Sequence, residues 1–234
     1  MSWPQRASNW SGLLGLALLL TGSGIGLFHS PRAEFMGDVV RILYVHVPTA
    51  WVHMVCYLIA FVCGLAALWS GERRWDYTLT GAVETGVVLN VLLLIQGMIW
   101  GEATWEGAKW GWTWADARLT TSLLTVLIYG GILALGSFVD EPDKRSRWMA
   151  VANTMAFLAV MFNYYAPEIF PGIHQISSSP ETVAASFKLP LRINAFGMLF
   201  LAIWFIGQRS LLERRRRQFE DVEAPERLAV LEES

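Results

Sequence analysis

Six long apolar segments constrain this sequence more than any other feature. They cover residues 12–28, 47–69, 79–100, 119–139, 148–165 and 191–208. Each is close to the roughly 20 residues that cross a hydrocarbon core of about 30 Å. The first lacks a clear cleavage site, so we interpret it as a helix and not as a signal peptide. The sequence predicts an all-α integral membrane protein with six transmembrane helices.

The positions of Lys and Arg predict the orientation of these helices. Twelve of the 18 Lys and Arg residues flank the helix ends on the side of the N-terminus. Basic residues concentrate on the cytoplasmic side of a membrane, so both termini are expected in the cytoplasm, with the helices in the plasma membrane. The outer loops are then residues 30–46, 101–118 and 166–190.

This pattern predicts a six-helix membrane domain over residues 1–209 and a charged cytoplasmic tail over residues 210–234. The four arginines at 214–217 are placed where anionic lipid of the inner leaflet would attract them. The alternative for these arginines is a solvated end that only stops translocation.

Several classes of function have no support in the sequence. The net charge is −2, and we find no phosphate-binding loop, no hydrolytic triad and no basic nucleic-acid patch. Cys56 and Cys63 lie seven residues apart in one apolar segment, which is too far for a disulfide, so we expect them to be packing residues. Without a CxxCH motif, the chain does not carry covalently attached c-type haem.

Tryptophan is concentrated in the second outer loop. Five of the twelve fall in this loop and its helix junction: Trp100, Trp105, Trp110, Trp112 and Trp114. An interfacial belt would spread them over many helix ends, so we favour an aromatic platform for a large planar ligand. Gly111 would let the backbone approach such a ligand closely. The loop ends at Asp116 and Arg118, and the planar fork of Arg118 suits a carboxylate such as a propionate.

Two histidines are placed to bind a haem iron. His46 lies at the start of the second helix, where Pro48 is expected in the first turn, and His174 lies in the third outer loop. A lone interfacial histidine is more often structural. However, two imidazoles from different segments can coordinate the iron of haem b from opposite faces of the porphyrin. We therefore predict His46 and His174 as axial ligands of a transient, non-covalent haem.

Other polar residues lie inside the apolar segments. His53 is on a similar helix face to His46 but about 10 Å deeper, so it cannot bind the same iron. We expect it to form an interhelical hydrogen bond. The same is expected of four further side chains: Glu84, Asn90, Asn153 and Asn163.

Taken together, these features resemble the cytochrome c maturation protein C (CcmC) family of haem-handling proteins. The similarity covers about residues 12–210. It rests on Tyr-Val-His-Val-Pro at 44–48, on the Trp-rich loop running into Asp-Ala-Arg-Leu-Thr at 116–120, and on His174-Gln175. One position departs from the family pattern W-G-x-x-W-x-W-D, because Ala115 stands where a tryptophan is expected before the aspartate.

The resemblance implies both a function and a set of partners. It implies that His46 and His174 bind haem b, and that Trp110, Gly111, Trp114 and Asp116 contact haem and the periplasmic chaperone CcmE. The chain would deliver haem to CcmE during cytochrome c biogenesis, together with an ABC transporter of CcmA and CcmB and the small CcmD. Whether it also helps to attach haem covalently to CcmE is left open.

The alternative function is a haem b anchor subunit of a redox complex. Such subunits hold pairs of histidines within their helices, where burial tunes the potential. Only His53 lies deep in this chain. The sequence therefore favours exchangeable haem at the outer surface.

Overall fold

The computed structural model describes residues 3–34, 36–105, 109–170, 172, 174 and 183–232, with side chains for those between 9 and 222. Within these residues the chain forms six α-helices: α1 (Trp3–Phe28), α2 (Leu43–Ser70), α3 (Arg73–Thr104), α4 (Ala117–Phe138), α5 (Pro142–Ile169) and α6 (Ala185–Glu232). A 3-10 helix, Asp38–Ile42, leads into α2. All six α-helices are long and apolar enough to cross a membrane. The predicted fold class, an all-α multi-pass membrane protein, is confirmed.

The helices extend beyond the apolar segments from which they were predicted. The 32 residues of α3 span about 48 Å at 1.5 Å per residue, against about 30 Å for the hydrocarbon core. Backbone hydrogen bonds within a helix persist where the side chains become polar, so hydropathy does not mark the helix ends. α3 ends at Thr104 and α4 begins at Ala117, so both helices extend into the predicted loop of residues 101–118. His46 lies inside α2 and not in a loop.

The helices pack through small residues and a shared apolar core. α1 packs mainly on α6, while α2 contacts α3, α5 and α6. A Cβ on Gly15 of α1 would lie 2.7 Å from the backbone nitrogen of Leu201 in α6, so these two backbones approach closely. Cys56 and Cys63 are buried in the core as free thiols. This confirms their prediction as packing residues.

Buried and half-buried polar side chains link the helices, as predicted for three of them. Ser122 Oγ of α4 donates to Asn90 Oδ1 of α3 at 2.8 Å. Asn153 Nδ2 of α5 donates to a carbonyl of α2 at 2.8 Å. Arg209 Nη2 of α6 donates to Glu84 Oε1 of α3 at 2.7 Å. Such bonds satisfy groups that lipid cannot, and they fix which helices are neighbours.

Pro48 lies in the second turn of α2, not in the first turn as predicted. Because proline has no N–H, the carbonyl of Tyr44 loses its usual donor within the helix. Asn194 of α6 replaces that donor, with its Nδ2 2.8 Å from the Tyr44 oxygen. Neighbouring helices commonly satisfy a carbonyl freed in this way. The bond attaches the start of α2, which carries His46, to α6.

Charged residues hold the other end of the bundle, where α3 and α5 begin. Arg217 of α6 lies 2.8 Å from Asp76 of α3, and both side chains are almost fully buried. Arg145 of α5 contacts Glu220 of α6 at 2.6 Å. α6 runs unbroken into the predicted tail, so Arg217 is occupied by an ion pair and not by lipid. The arginines at 214–216 are exposed.

Candidate functional site

A cavity of about 730 Å³ lies at the end of the bundle where α3 and α5 finish and α2, α4 and α6 begin. We call this the cavity end, and the opposite end the tail end. The volume is typical of small-molecule sites, which occupy about 300–1,000 Å³. The cavity follows α2 from Leu43 to Met54 and α3 from Leu93 to Thr104. These stretches correspond to about 16–18 Å of helix, so the cavity reaches well into the membrane-spanning part.

His46 of α2 lines the part of this cavity that is nearer the cavity end of the bundle, which we call its upper part. Its ring stands edge-on to Trp100 of α3, with the ring centroids 5.4 Å apart. Its Nδ1 is buried and has no hydrogen-bond partner among the described residues. A buried polar atom without a partner destabilises a fold unless a ligand satisfies it. His46 is therefore suited to bind something that occupies the cavity.

His174 reaches the same cavity from the loop between α5 and α6. Its ring is edge-on to Trp105, with centroids 5.0 Å apart. Its Nδ1 lies 2.8 Å from Asp116 Oδ1, a direct contact whose alignment falls short of a hydrogen bond. A carboxylate at one ring nitrogen orients an imidazole and leaves the other nitrogen for a ligand.

Asp116 has a second role at the start of α4. Its Oδ1 accepts the backbone N–H of Leu119 at 2.9 Å, which caps the helix. Burial raises the pKa of the Asp116 carboxyl, but the contacts with His174 and the Leu119 N–H outweigh burial and hold this pKa below its usual value. The residue therefore stays ionised at neutral pH and presents a negative charge to His174.

Three basic side chains line the cavity: Arg118 of α4, with Lys188 and Arg192 of α6. No aspartate or glutamate is among the described residues that line it. Arg118 Nε is buried and has no hydrogen-bond partner in the described part of the chain. Apolar walls with several positive charges suit a ligand that has an apolar body and carboxylate groups.

The Trp-rich loop is held by a tight turn at residues 109–112. Trp110 and Gly111 have φ angles of 59° and 65°, so both lie in the left-handed region. Positive φ at both central residues is the signature of a type I′ turn. A Cβ on Gly111 would lie 1.7 Å from the carbonyl oxygen of Met98. The Gly111 N–H also donates to Glu102 Oε2 at 2.7 Å, so the turn is fastened to the end of α3.

The tryptophans of this loop point in different directions. Trp110 and Trp114 are 84% and 71% exposed. Trp112 is half-buried and stands edge-on to Trp114, with centroids 5.1 Å apart. Trp105 faces the cavity. The loop thus offers a cavity wall on one side and an exposed aromatic surface on the other.

The nine predicted site residues therefore divide into two sets. Four line the cavity: His46, Trp105, Arg118 and His174. Five belong to the surrounding loop and do not line it: Trp110, Gly111, Trp112, Trp114 and Asp116. Gln175, which contributed to the resemblance, lies outside the described residues.

Sequence reasoning missed most of the cavity lining, including three residues with large or charged side chains, and it assigned one residue wrongly. Trp51, Lys188 and Arg192 all line the cavity. Lys188 and Arg192 are four residues apart and so share a helix face, a signal that could have identified them.

His53 was expected to bond to another helix. Instead, its Nδ1 lies 3.2 Å from the carbonyl oxygen of Thr49 in its own helix, and the residue lines the cavity.

Comparison with known proteins places this architecture in a family. The family model described as Heme exporter protein C (CcmC) matches residues 1–223. A Heme exporter protein C of Rhodobacter capsulatus is 31% identical, over 98% of this chain and 95% of the relative. That of Bradyrhizobium diazoefficiens is 30% identical, over 82% of this chain and 75% of the relative. The Heme exporter protein C of Escherichia coli K12 is 26% identical, over 88% of this chain and 85% of the relative. The chain therefore belongs to the Heme exporter protein C family.

Proposed function

We propose that this protein binds haem b non-covalently in the cavity and delivers it to the periplasmic chaperone CcmE during cytochrome c biogenesis. The observation that supports this most strongly is the pair of imidazoles, His46 and His174, which come from separate segments and line one cavity. The relatives are named as haem exporters, which agrees with such a ligand.

In this proposal the two imidazoles supply the axial ligands of the iron. One histidine on each face of the porphyrin gives six-coordinate iron without an open position, which suits holding haem and not reacting with oxygen. Asp116 keeps His174 oriented through their 2.8 Å contact. Release then requires at least one of the two iron–nitrogen bonds to break, so the site can hold haem and still give it up.

The remaining cavity residues fit the rest of the haem molecule. Its macrocycle is apolar and flat, and Trp100 and Trp105 provide aromatic surface beside the two histidines. Its two propionates are anionic at neutral pH. Arg118, Lys188 and Arg192 offer three cations for these two groups, and no described cavity residue offers a competing carboxylate.

We place the cavity end at the outer, periplasmic face of the inner membrane. The argument is the excess of Lys and Arg at the tail end, where twelve of 18 lie. The exposed rings of Trp110 and Trp114 would then face the periplasm, where CcmE could dock. We further propose assembly with the transporter subunits CcmA and CcmB and with CcmD, on the family resemblance.

The binding step is tested by the haem content of protein purified in detergent. His46→Ala and His174→Ala should each lower the haem content or convert the retained iron to a high-spin state, because each removes one axial ligand. His29→Ala is the matched control, since His29 is exposed and does not line the cavity. Unchanged haem content and spin state in both cavity variants would refute the proposed site.

A further inference from the structure

His53 is the histidine that the proposed haem site leaves without a role. It lies on α2, seven residues and about 10 Å below His46, and its side chain faces the same cavity. Only 4% of the residue is exposed. A polar side chain buried within a membrane helix is costly, and this one does not tie two helices together. A structural role therefore does not account for His53.

The hydrogen bond of His53 fixes which ring nitrogen can bind a ligand. Nδ1 lies 3.2 Å from the Thr49 carbonyl oxygen, which can only accept a hydrogen bond, so Nδ1 carries the proton. In the neutral ring Nε2 then holds a free lone pair. The hydrogen bond that the described residues show for this ring is the one at Nδ1. An imidazole whose Nδ1–H is bound to a backbone carbonyl has the usual arrangement of a metal-ligating histidine.

The cavity has room below His46 for a ligand to reach this nitrogen. Its wall continues past His46 to Met54 on α2, and down to Leu93 on α3. Ser122 of α4 also lines it, four residues into the helix from Arg118. The upper histidines and His53 therefore belong to one continuous space and not to two separate pockets.

We infer that His53 is a second, deeper iron-binding position, which holds haem when His46 and His174 do not. The inference rests on the proposed function, because it takes haem as the ligand of the cavity. In the exchange, the two iron–nitrogen bonds to His46 and His174 break and one to His53 Nε2 forms. Nδ1 keeps its proton, which remains hydrogen-bonded to the Thr49 carbonyl oxygen, and no electron is transferred. His53 thus keeps the iron ligated while the upper ligands are free.

The test compares two purified variants in detergent, each titrated with ferric haem. One carries His46→Ala and His174→Ala, and the other carries His53→Ala in addition. The double variant should bind haem with the high-spin spectrum of a single imidazole. The triple variant should bind at least about tenfold more weakly and lose that signature. Added imidazole should restore the signature, because it supplies the missing ligand.

Metal-free protoporphyrin IX separates ligation from packing. It has no iron, so the double and triple variants should bind it equally if His53 acts as a ligand. Its binding also shows that each variant is folded. His53→Phe, which keeps an aromatic ring without a ligating nitrogen, should behave as His53→Ala does. His29→Ala in the double-variant background is the matched control and should change nothing.

The outcomes distinguish this inference from the proposed function. Equal haem affinity and equal spectra in the double and triple variants would overturn the role of His53 alone. So would an equal loss of haem and metal-free porphyrin, because that result indicates packing. If the unmodified protein binds no haem in the same titration, the proposed function falls, and the inference falls with it.

Discussion

At the scale of single residues, the most unusual conformation in the described chain is that of Trp110. It is the one residue other than glycine with a positive φ there, and a left-handed conformation costs a residue with a Cβ about 1–2 kcal/mol. The turn places the Trp110 ring outside, where it is 84% exposed. Strain and an exposed aromatic ring at one position both oppose stability, so this arrangement is best explained by contact with a partner.

Gly111 next to it provides a direct test of the turn. Gly111→Ala should destabilise the loop by at least about 1–2 kcal/mol, because alanine is strained at a φ of 65° and would clash with the Met98 carbonyl. Limited proteolysis of the loop between α3 and α4 measures this as faster cleavage. Gly130→Ala in α4 is the control, since its Cβ meets nothing within 4 Å. Cleavage of Gly111→Ala no faster than that of the control would refute the turn.

At the scale of elements, α6 joins the two ends of the molecule. Its first turns carry Lys188 and Arg192 into the cavity, and Asn194 fastens the start of α2. Near its other end, Arg217 pairs with Asp76 beside the start of α3. One continuous helix of 48 residues thus contacts both the cavity and the charged cluster at the tail end.

The Arg217–Asp76 pair should be essential to the docking of this helix. Arg217→Met leaves a buried carboxylate without its partner, which costs about 3–5 kcal/mol of unfolding free energy. The melting temperature in detergent should fall accordingly. Adding Asp76→Leu should restore part of the loss, because it removes the buried carboxylate closest to Arg217, while Glu213 keeps its contacts with Arg209 and Arg216. Arg215→Ala, at an exposed position, should melt like the parent. Equal melting temperatures for Arg217→Met and Arg215→Ala would contradict the pairing.

The elements also show what could be predicted from the sequence. The number of helices follows from apolar runs of about 20 residues, since lipid leaves a backbone few alternatives. The helix ends do not follow, because polar ends such as Thr104 remain helical. His46 and Trp105 were identified by residue type. The meeting of His174 with Asp116, and the cavity face of α6, depend on how distant segments pack.

At the scale of the whole molecule, the two ends differ in chemistry. The tail end is crossed by ion pairs that join α3, α5 and α6. The cavity end carries the histidines, the basic side chains of the cavity and the exposed Trp110 and Trp114. Such a division suits a protein that holds a ligand at one face of the membrane and is anchored at the other. In the proposed function, binding and handover therefore use different parts of the cavity end.

Handover can be separated from binding by removing the two exposed rings. The double variant Trp110→Ala and Trp114→Ala should keep a six-coordinate haem spectrum, because neither ring lines the cavity. However, it should transfer much less haem to CcmE, and much less CcmE should copurify with it. Trp69→Ala is the control, since Trp69 is 95% exposed at the tail end. Normal haem transfer by the double variant would contradict this role and would indicate that the two rings belong only to an interfacial aromatic belt.

The central claim is that one haem iron is held between His46 and His174. The most direct measurement is the optical and electron paramagnetic resonance spectrum of the unmodified protein, purified in detergent from haem-sufficient cells. We expect bound ferric haem in a low-spin, six-coordinate state, as two imidazole ligands produce. A high-spin spectrum, or purified protein without haem, would contradict the claim. A low-spin spectrum that disappears on His53→Ala alone would favour a redox anchor instead.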